Sequence, residues 1–144
     1  MQDEIGRVID ANLNRLREGI RVIEDTLRYL HNDTSLALDC KNLRHQLKFP
    51  AQTQLLQYRN TRTDVAKKST QSELERQHLS ALVLANFKRA QESARVLEEY
   101  TKLATDFGDT AVFKNARYTL YELEKMYFEK YGEMGGGEAI KNKC

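Results

Sequence analysis

Arginines and carboxylates recur at helical spacing near the start of this sequence, and together they suit the binding of phosphorylated molecules. Arginine offers two parallel donors to phosphate oxygens and stays charged at physiological pH. Carboxylates suit a divalent cation that itself bridges phosphates. On one helix, a stripe about 80° wide contains Asp10, Asn14, Arg17, Arg21, Glu24 and Arg28. We place this stripe roughly opposite the apolar side of the helix, where it predicts either a phosphate site or a protein-binding face of mixed charge.

The polar pattern occurs twice in the chain. Residues 11–24 match residues 85–98 at an offset of 74, with seven of fourteen positions identical. Residues 40–47 match residues 113–120 at an offset of 73, with four of eight identical. Apolar positions vary across this repeat, whereas polar residues are kept. The identical polar pairs are Asn12/Asn86, Arg15/Arg89, Glu18/Glu92, Arg21/Arg95 and Glu24/Glu98.

These retained pairs have a structural explanation as well as a functional one. Arginine and glutamate three residues apart on a helix stabilise it by only about 0.2–0.5 kcal/mol, and lysine would serve equally well. Asn12 and Asn86 would form hydrogen bonds between helices at the edge of the core. The functional alternative explains why particular residue types, rather than charge alone, recur.

The apolar residues are spaced by three or four positions and predict an all-α protein. Two duplicated helix-hairpin units, about residues 3–48 and 72–131, form the expected bundle. The connector 49–71 holds a short helix and a polar loop. We expect one domain over residues 1–131 and a flexible C-terminal tail over 132–144.

Composition narrows the classes of partner. The 144 residues include 23 basic and 21 acidic side chains, giving a net charge of +2. This balance gives no reason to expect nucleic acid or a membrane as a partner. Cys40 and Cys144 stand alone, as is typical of free thiols in the cytoplasm, so we expect a cytoplasmic protein. The apolar edges of the long helices are compatible with a homodimer.

Several familiar chemistries have no motif in this sequence. It contains no glycine-rich phosphate loop, no HExxH metal motif and no serine or cysteine nucleophile motif. Phosphates would therefore be held by side chains and helix ends. Arg59 belongs to a basic loop around Asp64, which would either close over an anionic ligand or serve as a solvated connector.

Three segments resemble a small thiamin-biosynthesis family. They are RVIDANLNRLREGIRVIEDTLRYL at 7–30, LRH at 43–45 and LANFKRAQESARVLEEYTK at 84–102. The chain is similar, over about residues 7–131, to the helical domain fused ahead of thiamin-phosphate synthase in cyanobacteria, which also occurs as a stand-alone protein. The family is regarded as a monofunctional hydroxymethylpyrimidine phosphate kinase. The resemblance implies transfer of phosphate from ATP, with Mg²⁺, to hydroxymethylpyrimidine phosphate.

The residues that match the family receive roles from their chemistry. The predicted catalytic residues are Arg17, Arg21, Lys88 and Arg89. The predicted substrate and phosphate ligands are Asn12, Asn14, Arg15, Arg44, His45, Asn86 and, from the basic loop, Arg59. The predicted magnesium ligands are Glu24, Asp25, Glu98 and Glu99. A lone histidine such as His45 is more often a packed residue, and Ala66 stands where the family usually has glycine.

Two other classes of function stay open. In the first, the domain is a non-catalytic partner or scaffold for thiamin-phosphate synthase. In the second, it is a helical interaction module without a small-molecule ligand. The repeated polar set counts against both, because a docking surface has no need to repeat within one chain.

Overall fold

The computed structural model describes residues 1–48, 52–67 and 78–132. Within these ranges the chain forms α-helices joined by short turns and contains no β-strand. The helices are α1 (Gln2–Asp25), α2 (Thr34–Gln46), α3 (Gln52–Leu55), α4 (Leu79–Tyr100) and α5 (Thr110–Tyr131). The predicted all-α class is confirmed. The predicted start of the second unit at residue 72 lies outside the described residues, as does the predicted tail beyond residue 132.

The first long helix ends in a wider turn before the chain reverses. A π-helical turn, Thr26–Leu30, extends α1. Asp33 then caps α2, because its Oδ1 accepts a hydrogen bond from the Leu36 backbone N–H at 3.0 Å. An aspartate at this position satisfies one of the otherwise unpaired N–H groups of the first turn. The cap therefore fixes the start of α2 directly after the turn that ends the first helix.

The core lies between the two long helices of the repeat. Leu16 and Ile20 of α1 and Phe87 and Ala90 of α4 are all fully buried. Gly19 allows the two helices to approach closely, because a Cβ there would lie 3.2 Å from the backbone oxygen of Asn86. Burial of each large apolar side chain stabilises the fold by about 1.5–3 kcal/mol.

Ion pairs join each half's first helix to the helix that follows it. Glu24 of α1 pairs with Arg44 of α2. Glu98 of α4 pairs with Arg117 of α5. The long helices α1, α4 and α5 and the shorter α2 thus pack together as one bundle, and the short α3 packs at its side against α1.

The same contacts recur in both halves of the chain. Glu24–Arg44 and Glu98–Arg117 join the long helix of each half to the helix that follows, at 2.8 and 2.9 Å. Arg21–Asp25 and Arg95–Glu99 pair along the long helices at 3.5 and 3.4 Å. These matched contacts support the internal duplication that we infer from the sequence.

The polar stripe of α1 does not lie opposite its apolar side. Asp10 and Glu24 belong to this stripe, yet each is only 5% exposed. The stripe instead borders the core, where Arg59 covers Asp10 and Arg44 covers Glu24. In the part of the chain that the structure describes, no helix combines the length and apolar character needed to cross a membrane.

Candidate functional site

A cleft of about 650 Å³ lies between the first helix and the segment that follows α3. Its floor is the face of α1 from Glu4 to Glu18, and its wall is the segment from Arg59 to Asp64. We call it the α1 cleft. The polar residues of α1 that line it are Glu4, Arg7, Asp10, Asn12, Asn14, Arg15 and Glu18, and those of the wall are Arg59, Asn60, Thr61 and Asp64.

The wall is fixed to α1 by charged and polar contacts. Both Nε and Nη2 of Arg59 donate to the carboxylate of Asp10, each at 2.9 Å. Arg7 donates from Nη2 to the backbone oxygen of Asn60 at 2.9 Å. Gly6 lets the ring of Tyr58 lie directly on the helix, since a Cβ at that position would overlap the ring. Three consecutive residues, Tyr58 to Asn60, are therefore held against α1.

The charges of the cleft divide into a neutralised pair and a set of accessible groups. Asp10 is buried and is neutralised by Arg59, and the hydrogen bond to Asp10 raises the pKa of Arg59. Arg15 and Glu18 are exposed on the cleft side of α1. Asp64 uses Oδ1 to accept from the Ala66 backbone N–H at 3.0 Å. The cleft thus offers both arginine and carboxylate groups to a ligand.

Asn12 is the most deeply buried polar amide in the α1 cleft. Its side chain is only 6% exposed. Its Nδ2 donates to the backbone oxygen of Val8, one turn earlier on α1, at 2.9 Å. The matching residue Asn86 makes the same bond to Leu82 at 2.9 Å. The predicted hydrogen bonds between helices are therefore replaced by bonds within each helix.

Residues 7–126 match the model of the ThiD2 family. The chain belongs to this family. It is similar to the thiamine-phosphate synthase of Thermosynechococcus vestitus, with 43% identity over 121 residues, covering 83% of this chain and 34% of that protein. It is 40% identical to the enzyme of the same name from Nostoc punctiforme over 125 residues, which cover 86% of this chain and 35% of that protein.

A further relative, also named thiamine-phosphate synthase, comes from Rhodopirellula baltica. It is 38% identical over 120 residues, which cover 80% of this chain and 32% of that protein. The ThiD2-family chain thus spans about a third of the length of the curated relatives that it matches. No solved structure shows significant similarity to it.

The α1 cleft brings together part of the predicted site of this ThiD2-family chain. Asn12, Asn14, Arg15 and Arg59 all line it, although Arg59 is 47 positions from Asn12 in the sequence. The predicted ligands Arg44, His45 and Asn86 do not line the cleft. Arg44 is committed to Glu24, and His45 is exposed on α2.

The predicted catalytic residues lie outside the lining of the α1 cleft. Arg17 is half-buried, and Arg21 pairs with Asp25 at 3.5 Å. Lys88 lies 3.3 Å from the carboxylate of Glu124 on α5, and Arg89 is exposed on α4. Their catalytic roles stay predictions.

The predicted magnesium ligands have other partners in the structure. Arg44 binds both oxygens of Glu24, at 2.8 and 3.1 Å, and the pKa of Arg44 is raised by this hydrogen bonding. Glu98 likewise holds Arg117 at 2.9 Å and raises its pKa. Because both carboxylates are buried and already paired, they do not fit a magnesium ion.

The other two predicted magnesium ligands lie in exposed ion pairs. Asp25 pairs with Arg21, and Glu99 pairs with Arg95 at 3.4 Å and with Lys102 at 3.2 Å. Within the described ranges, no group of three or more histidine, cysteine, aspartate or glutamate side chains is placed to hold a metal ion. The carboxylates of Glu18 and Asp64 line the α1 cleft. Magnesium in proteins is usually bound by one or two carboxylates together with substrate phosphates, so these side chains are of the right type to bind it.

Arg7 was not among the residues predicted for the site from the sequence. It lies three residues before Asp10 and seven before Asn14, so it extends the polar stripe by one turn. That spacing was the available signal. The contact between Arg7 and Asn60 depends on how the connector folds back, which helical periodicity does not report.

Proposed function

We propose that this chain is a kinase that transfers a phosphoryl group from ATP to hydroxymethylpyrimidine phosphate in thiamin biosynthesis. Membership of the ThiD2 family supports the pathway, as do relatives named thiamine-phosphate synthase. The observation that carries the proposal is the α1 cleft, where Asn12, Asn14, Arg15 and Arg59 meet beside two accessible carboxylates.

The proposed reaction requires alignment and neutralisation of charge more than covalent chemistry. The bond between the γ-phosphorus of ATP and its bridging oxygen breaks, and a bond forms from that phosphorus to an oxygen of the acceptor phosphate. ADP leaves with the bonding electrons. The acceptor oxygen is already ionised near neutral pH, so the reaction needs little help from a general base.

The residues of the cleft divide this work. Arg15 binds phosphate oxygens as a two-pronged donor, while Asp10 and Arg59 position the wall against α1. Glu18 and Asp64 would hold a magnesium ion, which when bound neutralises phosphate charge. The other predicted catalytic residues would assist phosphoryl transfer only if the bound substrates extend beyond the cleft. These residues are Arg17, Arg21, Lys88 and Arg89.

Direct detection of the product tests this proposal. Purified protein is incubated with ATP, Mg²⁺ and hydroxymethylpyrimidine phosphate, and the pyrimidine diphosphate is measured by mass spectrometry. Unphosphorylated hydroxymethylpyrimidine serves as a parallel substrate. We expect diphosphate from the monophosphate alone. A folded protein that forms no product from either substrate contradicts the proposal.

A second candidate is a non-catalytic partner of thiamine-phosphate synthase. The relatives favour it, because the region that matches this chain is about a third of a longer protein of that name. Co-purification with a separate thiamine-phosphate synthase, together with an inactive kinase assay, would select this alternative.

A further inference from the structure

The side-chain amide of Asn12 has only one possible orientation. The backbone oxygen of Val8 accepts hydrogen bonds and cannot donate one, so the group 2.9 Å from it must be the Asn12 NH₂. The carbonyl Oδ1 of Asn12 therefore points away from Val8. The orientation follows from the fixed position of the helix backbone.

This carbonyl is the unused acceptor of a buried residue in the α1 cleft. The Asn12 residue is 94% buried, and within the described residues its Oδ1 has no hydrogen-bond donor. Because no enclosed side-chain nitrogen or oxygen in these residues lacks a partner, this oxygen is open to the cleft. Phosphate oxygens are acceptors and would repel it, so Asn12 does not suit the phosphate-binding role predicted from its residue type. A ligand satisfies this oxygen only by donating an N–H or O–H group.

We infer that Asn12 Oδ1 recognises the ring of the ligand by accepting a hydrogen bond from an exocyclic amino group on a nitrogen heterocycle. Aminopyrimidines and adenine carry such a group, and the choice of an aminopyrimidine phosphate as the ligand rests on the proposed function. Arg15 lies one helical turn along α1, where residues three apart are about 5–6 Å from each other at Cβ. Asn12 thus binds the ring end of a small ligand, and Arg15 binds its phosphate end.

The internal repeat supplies a matched control. Asn86 makes the same bond to a carbonyl one turn earlier on α4, also at 2.9 Å, but does not line the α1 cleft. Asn12→Ala and Asn86→Ala remove equivalent bonds within a helix. Only Asn12→Ala removes the acceptor from the cleft, so a difference between the two variants reports on the ligand.

Ligand pairs that differ only at the amino group test the inference. Isothermal titration calorimetry compares hydroxymethylpyrimidine phosphate with its counterpart in which oxygen replaces the amino group, and ATP with ITP. We expect the wild-type protein to prefer the amino member of at least one pair by about tenfold or more, because the oxygen that replaces the amino group cannot donate to Asn12 Oδ1 and faces it as a second acceptor. Asn12→Ala should reduce this preference to less than about threefold, and Asn86→Ala should keep it.

Asn12→Leu, which keeps the branched shape of the side chain, repeats the test if Asn12→Ala unfolds, and circular dichroism verifies that each variant is folded. The inference would be overturned if Asn12→Ala lowered the affinity for both members of each pair equally. It would also be overturned if the wild-type protein bound none of the four ligands. If no diphosphate forms but Asn12→Ala abolishes the amino preference, the proposed function fails and the inference stands. If diphosphate forms and the preference survives in Asn12→Ala, the proposed function stands and the inference fails.

Discussion

At the scale of single residues, the repeat provides two equivalent arginines, of which only one is expected to bind the ligand. Arg15 and Arg89 occupy equivalent positions, and both are exposed, but only Arg15 lines the α1 cleft. We expect Arg15→Ala to weaken binding of hydroxymethylpyrimidine phosphate by roughly 10- to 150-fold, since a hydrogen bond to a charged group contributes about 1.5–3 kcal/mol. Calorimetric titration measures this loss.

Arg89→Ala is the matched control for that prediction. Both variants remove an exposed arginine from a long helix, so both should melt within about 2 °C of the wild type, because surface substitutions change stability by about 0.5 kcal/mol or less. Equal loss of binding in the two variants would show that the phosphate site is not the α1 cleft.

Some of the site could be predicted from residue types, and some depends on contacts between distant residues. Asn14 belongs to the periodic polar stripe, and Asn12 and Arg15 are retained in the repeat, so patterns within one helix were enough to identify all three. Glu24 and Glu98 had the right type for magnesium, but arginines 20 and 19 residues further along the chain bind them. Helical spacing cannot reveal a partner on another helix, and this is why these two carboxylates were assigned to metal.

At the scale of helices, the pairs Glu24–Arg44 and Glu98–Arg117 join each long helix to its successor. All four side chains are less than a fifth exposed. We expect Arg44→Ala and Arg117→Ala each to lower the free energy of unfolding by about 3 kcal/mol, because either change leaves a buried carboxylate without its partner. Urea unfolding of the two variants measures both losses, and a large difference between them would argue against equivalent halves.

The wall of the α1 cleft depends on a similar pair with a functional consequence. Arg59→Ala leaves the buried carboxylate of Asp10 without its partner, and the segment Arg59–Asp64 loses its two-pronged attachment to α1. We expect the free energy of unfolding to fall by about 1–3 kcal/mol and ligand affinity to fall with it. Urea unfolding and calorimetric titration measure the two effects.

Arg59→Lys distinguishes attachment from charge alone. Lysine keeps the positive charge but cannot bind both carboxylate oxygens in the fixed geometry of a guanidinium group. It should therefore restore part of the stability and little of the ligand affinity. If lysine restored full affinity, the position of the wall would not depend on the two-pronged bond.

At the scale of the whole molecule, one polar cluster joins the turn between the first two helices to the end of α5. Asp33, between α1 and α2, accepts from Lys130 Nζ at 2.7 Å and from the Tyr131 hydroxyl at 2.6 Å, both on the last turn of α5. The His31 ring stacks on Tyr131 with centroids 3.7 Å apart. The two halves are thus linked at this end of the bundle by hydrogen bonds as well as by the core.

This cluster predicts loss of stability in acid. Burial alone would raise the pKa of Asp33, but hydrogen bonds from the Leu36 backbone, Lys130 and Tyr131 lower it from 3.8 to about 2. Because the pKa is lower in the folded state, the stabilisation is complete above pH 3.8 and is lost as the pH falls toward 2. A change of this size corresponds to about 2 kcal/mol. Urea unfolding at pH 5 and pH 2.5 should show the loss in the wild type, whereas Asp33→Asn should be less stable at pH 5 and should lose less between the two values. Equal losses in the two proteins would place the acid sensitivity elsewhere.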